Sequence, residues 1–333
     1  MNELEIQKEF FNIIRNKIPK NVSLVDEIAE LLNISNDSAY RRLRGEKPLS
    51  MQEIQLLCKH FMVSLDQVMG LESNTLVFHG ALVDKNQFNF GIYLNEILVN
   101  VQRIAGLKDR VFYFEGKDIP PFHFFLFEHL ASFKYYFWQR HIIQDLGEGS
   151  RDFNVSEYMD PLQTTGKRIA RMYATIPSVE IWHTDTINST IRQIEFCRDS
   201  GYLKTGSAEL TLIYDELLAL VEHIEAEAAH GVKFMPGSDP SGGTAEFRLH
   251  CNEVLLGHNT MLCDSPEQRF VYINHNVINF MVTFDKKFTD YTYQSLQNII
   301  RKSSLISGVN EKERNRFFTI LKDKIHRSMH GGT

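Results

Sequence analysis

The chain has 333 residues, 43% hydrophobic and 23% charged, with a formal net charge of −6. That length exceeds one comfortable hydrophobic core and implies two or three domains, while the excess of acid excludes a polypeptide that coats nucleic acid non-specifically. No apolar run reaches the roughly 18–20 residues of a membrane helix, and MNELEIQKEFF lacks the character of a secretion signal, so a cytoplasmic protein with no membrane partner is expected.

The first element is a helix in which Leu4, Ile6, Phe10, Phe11, Ile13, Ile14 and Ile18 recur at roughly helical spacing until Pro19 stops the pattern. Ser23 with Asp26 reads as a helix start, and Leu24, Val25, Ile28, Leu31 and Leu32 form the buried stripe of helix two. Asn33-Ile34-Ser35 is a turn, since Asn tolerates the left-handed conformation. Ser35 or Asn36 then caps a third helix that Gly45 ends, with Ala39 and Leu43 facing inward. Ser50 caps a fourth helix with Ile54, Leu56, Leu57 and Phe61 inward, and Ser64 caps a short fifth.

Two short helices joined by a tight turn, the second bearing arginines, form the pattern of a helix-turn-helix. Positive charge is concentrated there: residues 39–48 hold Arg41, Arg42, Arg44 and Lys47 against the single acid Glu46. The N-terminal side chains of such a helix reach base edges, which makes Asn36, Asp37 and Ser38 candidate sequence readers. Arg41 and Arg42, expected to face outward, suit guanine or phosphate; Arg44 and Lys47 suit phosphate alone.

The order of a first helix, IAELLNIS, NDSAYRRLRGEKP and LSMQEIQLLCKHFMVSLDQVM resembles the lambda-repressor-like (XRE or Cro/CI type) helix-turn-helix family, through Ile28, Ala29, Leu32, Ile34, Ser35, Ser38, Gly45, Pro48, Leu49, Ser64, Leu65 and Asp66. The resemblance covers about a fifth of the chain. It implies an all-α five-helix domain that binds double-stranded operator DNA as a homodimer. Three positions depart from it: Asn33 stands for the usual turn Gly, Leu24-Val25-Asp26 replaces a phosphate-touching Gln, and Tyr40 occupies a site that is normally small or aliphatic.

A boundary is expected at Leu71–Asn74, giving a DNA-binding domain over 1–72 and a second domain over 73–333, with a subdivision near 235–244. Thr75–Leu82 is strand or a helix start, Ile92–Ile104 a helix and Val111–Glu115 a strand. Pro120-Pro121 opens a helix to about Arg140, whose many aromatics fill a core in preference to lining a cavity. Asp145–Asn154 is a loop, Ser156–Tyr173 a helix weakened at Gly166, Val179–Trp182 a strand, and Thr186–Ser200 and Ser207–His230 helices. After the loop Met235–Thr244 come short strands within Phe247–Leu256, Asn259–Asp264, Phe270–Ile273 and Ile278–Phe284, then helices Lys286–Ile306 and Asn310–Met329, the last capped by Asn310. This is a mixed α/β (or α+β) domain with an antiparallel strand cluster and two C-terminal helices.

No GxSxG, HExxH or GxGxxG is present, and His258, Asp264, His275, Asp285 and Asp290 have no diagnostic catalytic spacing. His250 and Cys251, as strand neighbours, point to opposite faces and do not join His258 and Cys263 in a metal site. Cys58, Cys197, Cys251 and Cys263 form no CxxC and are expected as reduced thiols, a Cys251/Cys263 redox pair being the alternative. No catalytic residue, metal or cofactor is therefore expected. The larger domain is read as an effector-sensing or oligomerisation unit, with a small-molecule effector or a protein partner. Its alternatives are a protein-interaction scaffold without a small ligand, or a hydrolase-like enzyme.

Overall fold

The computed structural model describes residues 3–18, 22–61, 63–69, 76–80, 89–142, 152–158, 160, 162–243, 245–254, 259–275 and 280–331. The chain divides into two compact units, Met1–His79 and Gly80–Thr333. The boundary expected at Leu71–Asn74 falls outside the described residues.

The described elements of the first unit are helices: α1 (Glu3–Lys17), α2 (Leu24–Leu32), α3 (Asn36–Leu43), α4 (Met51–Phe61) and α5 (Leu65–Val68). Phe10, Phe11, Ile14, Leu24, Val25, Ile28, Ala29, Ala39, Leu57, Phe61, Val63 and Val68 form its core. Leu56, expected inside, is exposed, because α4 turns Leu57 and Phe61 to the core and leaves its neighbour on the opposite side.

The second unit contains α6 (Phe90–Gly106), β1 (Val111–Glu115), α7 (Pro121–Phe124), α8 (Glu128–Phe137), α9 (Leu162–Tyr173), β2 (Ser178–Trp182), α10 (Asn188–Asp199), α11 (Ala208–His230), β3 (Val232–Lys233), β4 (Ala245–Cys251), β5 (Thr260–Asp264), β6 (Arg269–Asn274), β7 (Phe280–Thr283), α12 (Lys286–Arg301), β8 (Ser304–Leu305) and α13 (Glu311–Met329). The sheet order is β3-β4-β2-β1-β5-β6-β7, with β8 paired to β4. Strands β1, β2 and β4 are mutually parallel neighbours, joined through helices, whereas β5, β6 and β7 form an antiparallel meander on the far side of β1.

Strand alternation divides the apolar residues between two faces. Tyr113, Val179, Ile181, Leu262 and Val271 meet Leu296 of α12 on one face. On the other, Phe112, Phe114, Met261, Cys263 and Phe270 meet α6 and α9, while Phe247 and Leu249 join the cluster containing α11 and α13 residues. The aromatic-rich segment after Pro120 is not one helix. Phe127 is extended at φ −121°, Glu216 captures the Leu130 N–H at 2.8 Å, and a π-helical turn follows Phe137. The break lets Phe124, Phe133 and Tyr136 serve one core cluster and Phe122, Phe125, Tyr135 and Trp138 the other.

Two further boundaries and one cap differ from the sequence reading. A 3₁₀ turn at Val155–Tyr158 precedes α9 in place of one continuous helix. Gly166 within α9 is where the Tyr135 phenol sits: an added Cβ would lie 2.3 Å from its oxygen. The helix starting at Lys286 ends at Arg301 because the following residues pair as β8 with His250 and Cys251. Asn310 makes no side-chain cap; it is left-handed (φ 55°), and its amide donates to the Leu305 carbonyl at 2.7 Å.

A buried polar knot ties β2 to the helical layer. The Glu180 carboxylate accepts from His123 Nε2 (2.9 Å), Tyr173 Oη (2.6 Å) and Trp182 Nε1 (2.8 Å). Burial raises its pKa, but His123, Lys233 and Tyr173 outweigh burial and hold it below the usual carboxylate range. Lys233 donates to the carbonyls of Tyr173 and Ile176, and burial lowers it to about 7, with the Glu180 and Glu227 charges opposing. Between about pH 7 and 10.5 the unfolded chain therefore keeps a proton that folded Lys233 has released, so this group makes stability rise with pH. The difference in unfolding free energy between wild type and Lys233→Met should grow in favour of wild type from pH 7 to pH 10. Urea titrations at matched ionic strength measure it; a pH-independent difference rules the assignment out.

Candidate nucleic-acid interface

The turn between α2 and α3 is built by local chemistry. Ser23 Oγ accepts from the Asp26 N–H, starting α2, and Asn33 ends it in the left-handed region at φ 51°. The Ile34 N–H returns to the Ala29 carbonyl at 2.9 Å, and Ser35 Oγ accepts from the Ser38 N–H to open α3. Buried Ile28, Ala29 and Ala39 let the two helices approach closely.

At the far end of α3, Gly45 has φ +77°, a left-handed conformation that demands glycine, and the exposed Leu4 side chain lies over the space a Cβ would take. Gln7 of α1 clamps this end. Its amide donates to the carbonyls of Arg42 (2.7 Å) and Lys47 (2.9 Å), and its oxygen accepts from the Leu49 N–H.

The residues expected to read DNA separate into distinct environments. Asp37, Arg41, Arg44 and Lys47 are exposed. Asn36 is exposed, with its amide held by Asp26 Oδ1 at 2.9 Å. Ser38 is half-buried at the cap, where its hydroxyl receives a bond from Ser35 Oγ. Arg42 does not face outward: it is 4% exposed. Its Nη2 lies 2.6 Å from Glu53 Oε1 and its Nη1 donates to the Ser38 carbonyl at 3.1 Å. The helical period explains the difference, because Arg42 is three residues beyond Ala39, on the side turned to the rest of the unit.

Glu53 and Gln7 were missed by sequence reasoning. Ser50 and Glu53 are spaced as a capping box, and Glu53 does accept the Ser50 N–H at 2.8 Å; the same carboxylate also pairs with Arg42. Burial raises Glu53, but the Arg42 and Ser50 hydrogen bonds outweigh it and hold the carboxyl below its ordinary value. Gln7 carries no pattern signal, since its role is visible only when α1 lies beside the end of α3.

Outside, Glu46 stands between two arginines, 4.0 Å from Arg41 Nε and 3.5 Å from Arg44 Nη1, all three side chains about half exposed or more. Such pairs are weak in water and exchange readily for phosphate.

In the second unit three of the other polar candidates have structural partners. Asp264 and Asp290 both hold Arg269, at 2.8 and 2.6 Å, and Asp285 caps α12. His258 lies outside the described residues, and among those described no His/Cys/Asp/Glu group could hold a metal. Cys251 and Cys263 are free, on β4 and β5 with β2 and β1 between them, too far apart for a disulfide. Burial pushes their thiols up to about 11 and about 12, respectively.

Residues 13–83 match the BetR domain, a helix-turn-helix-type DNA-binding domain. No curated protein and no solved structure matches the chain. The first unit is thus a DNA-binding module of helix-turn-helix type, and no helix among the described residues is long and apolar enough to cross a membrane.

Arg42→Ala should destabilise the first unit by about 3 kcal/mol, the usual cost of stranding one member of a buried ion pair. Glu53 titrates low when folded, so its contribution is full above the unfolded glutamate pKa and disappears as pH falls through the folded value. The wild-type advantage over Glu53→Gln should therefore shrink in acid. Thermal melts at pH 7 and pH 4 test both; an Arg42→Ala melt equal to wild type contradicts the assignment.

Proposed function

We propose that the protein is a sequence-specific transcription regulator of the lambda-repressor-like class, acting as a cytoplasmic homodimer without catalysis. The observation that carries this reading is the exposed basic end of α3, where Arg41, Arg44 and Lys47 are free of the core while Arg42 and Gln7 brace the helix beneath them. The two recognition helices of a dimer enter successive major grooves about 34 Å apart. Asn36 and Asp37 face base edges, Arg41, Arg44 and Lys47 the phosphates, and Ser38 the helix start. Glu46 neutralises the arginines until phosphate replaces it.

Binding to the protein's upstream DNA, followed by fluorescence polarisation over a salt series, tests the reading face. Arg41→Ala/Arg44→Ala should weaken binding at least about tenfold and flatten the slope of log K against log salt by about 2. Glu46→Gln should tighten it. A double variant with wild-type affinity and slope sinks the proposal, and sedimentation showing only monomers with and without DNA sinks its dimeric part.

The second unit is proposed to sense a small charged effector. In support, a cavity of about 220 Å³ lies beyond the carboxyl ends of the parallel strands β2 and β4, the usual location of ligands in open α/β sheets. Cys251, Ile306 and Phe317 line it together with Lys302, Glu253 and Arg316. A thermal-shift screen of free amino acids and small carboxylates should raise the melting temperature of wild type and not of Lys302→Ala/Arg316→Ala. No shift in wild type, or equal shifts in both, removes the sensing role and leaves a scaffold for protein partners.

A further inference from the structure

Tyr40 is the fifth residue of α3 and shares a flank with Asp37, Arg41 and Arg44, because positions i, i+3, i+4 and i+7 of a helix lie on one face. Its side chain is large, yet 47% of the residue is exposed and it belongs to none of the core clusters. The helix gains nothing in propensity from an aromatic residue here. Core packing therefore does not account for it.

Its surroundings are polar. Arg41 stands next to it on the exposed side, and the Arg44 guanidinium carbon lies 5.8 Å from the ring centroid, within range of a cation–π attraction. The tyrosine is thus an apolar surface set among the charged groups of the DNA-facing flank, with Arg44 drawn toward its ring. Of the groups that B-DNA presents in the major groove, the thymine C5 methyl is the apolar one, and apolar side chains recognise it by contact. A phosphate contact by the hydroxyl would position the helix without conveying sequence.

We infer that Tyr40 is a specificity-determining residue that selects thymine in each half-site by packing its ring against the C5 methyl. The inference rests on the DNA-reading role proposed above. The position that departs from the family pattern becomes the one that gives this protein its own sequence preference. Arg41 and Arg44 supply affinity on either side of it.

Full-length wild type, Tyr40→Ala and Tyr40→Phe are each used to select duplexes from a randomised pool, and the bound consensus sequences are compared. Tyr40→Ala should lose preference for thymine at one position per half-site and keep the rest, while Tyr40→Phe should select as wild type does. At that position, replacing thymine by uracil removes only the methyl and should weaken wild type and Tyr40→Phe about fourfold per half-site, the worth of one buried methyl group, with no effect on Tyr40→Ala. An unaltered consensus for Tyr40→Ala, or wild-type binding indifferent to uracil at every selected thymine, overturns the inference and leaves DNA reading intact. So does Tyr40→Phe behaving like Tyr40→Ala, which would assign the contact to the hydroxyl. The uracil test on wild type needs no variant to fold. Failure of wild type to enrich any sequence would remove the reading role itself, and this inference with it.

Discussion

The ion pair between Arg42 and Glu53 is the constraint on which the placement of α3 depends. A buried guanidinium is costly unless it is paired, and here the Glu53 carboxylate takes Nη2 and the Ser38 carbonyl takes Nη1, while Nε is buried without an acceptor. Glu53 also closes the capping box of α4, so one carboxylate fixes the start of that helix and the body of α3 together. With Gln7 pinning the segment after α3 to α1, the helix that carries the proposed recognition surface is held by side chains of α1 and α4. A helix so braced loses little freedom on binding, which preserves affinity.

The second unit shows the same logic in a different setting. Its sheet has a parallel centre of β1, β2 and β4 with antiparallel neighbours on both sides: β5 pairs antiparallel to β1, and β3 and β8 pair antiparallel to β4. Three clusters of apolar side chains hold the layers, and one polar knot around Glu180 crosses between sheet and helices with each carboxylate oxygen occupied. Such a knot specifies a single packing arrangement, because any displacement of α7 or α9 would leave a buried charge without a partner. The exposed basic end of α3 on the first unit and the cavity beside β4 on the second are each set by elements of their own unit.

Much of the fold was legible in the residues. Periodic apolar positions located α2, α6, α10 and α11, and the β-branched and aromatic runs located β1, β2 and the β5–β7 meander. Caps at Ser23 and Ser35 and the left-handed Asn33 were readable because each acts within a few residues of itself. The break inside the aromatic segment was not readable: it is stabilised by Glu216, far along the chain, capturing the Leu130 N–H. Nor was β8, whose pairing partner is β4 and whose own sequence continues the helical pattern of α12.

For the candidate site, the sequence by itself determined that a helix-turn-helix exists, that its second helix is basic, and that Gly45 ends it. Those properties follow from local periodicity, capping and charge. Only the tertiary structure decided which arginine faces water and which is sealed. Arg41 and Arg42 are adjacent and chemically identical, and their difference arises from a rotation of about 100° per residue relative to neighbours contributed by α1 and α4. That rotation places Arg42 against Glu53 and leaves Arg41 and Tyr40 outside, a distinction created by packing between elements remote in the chain.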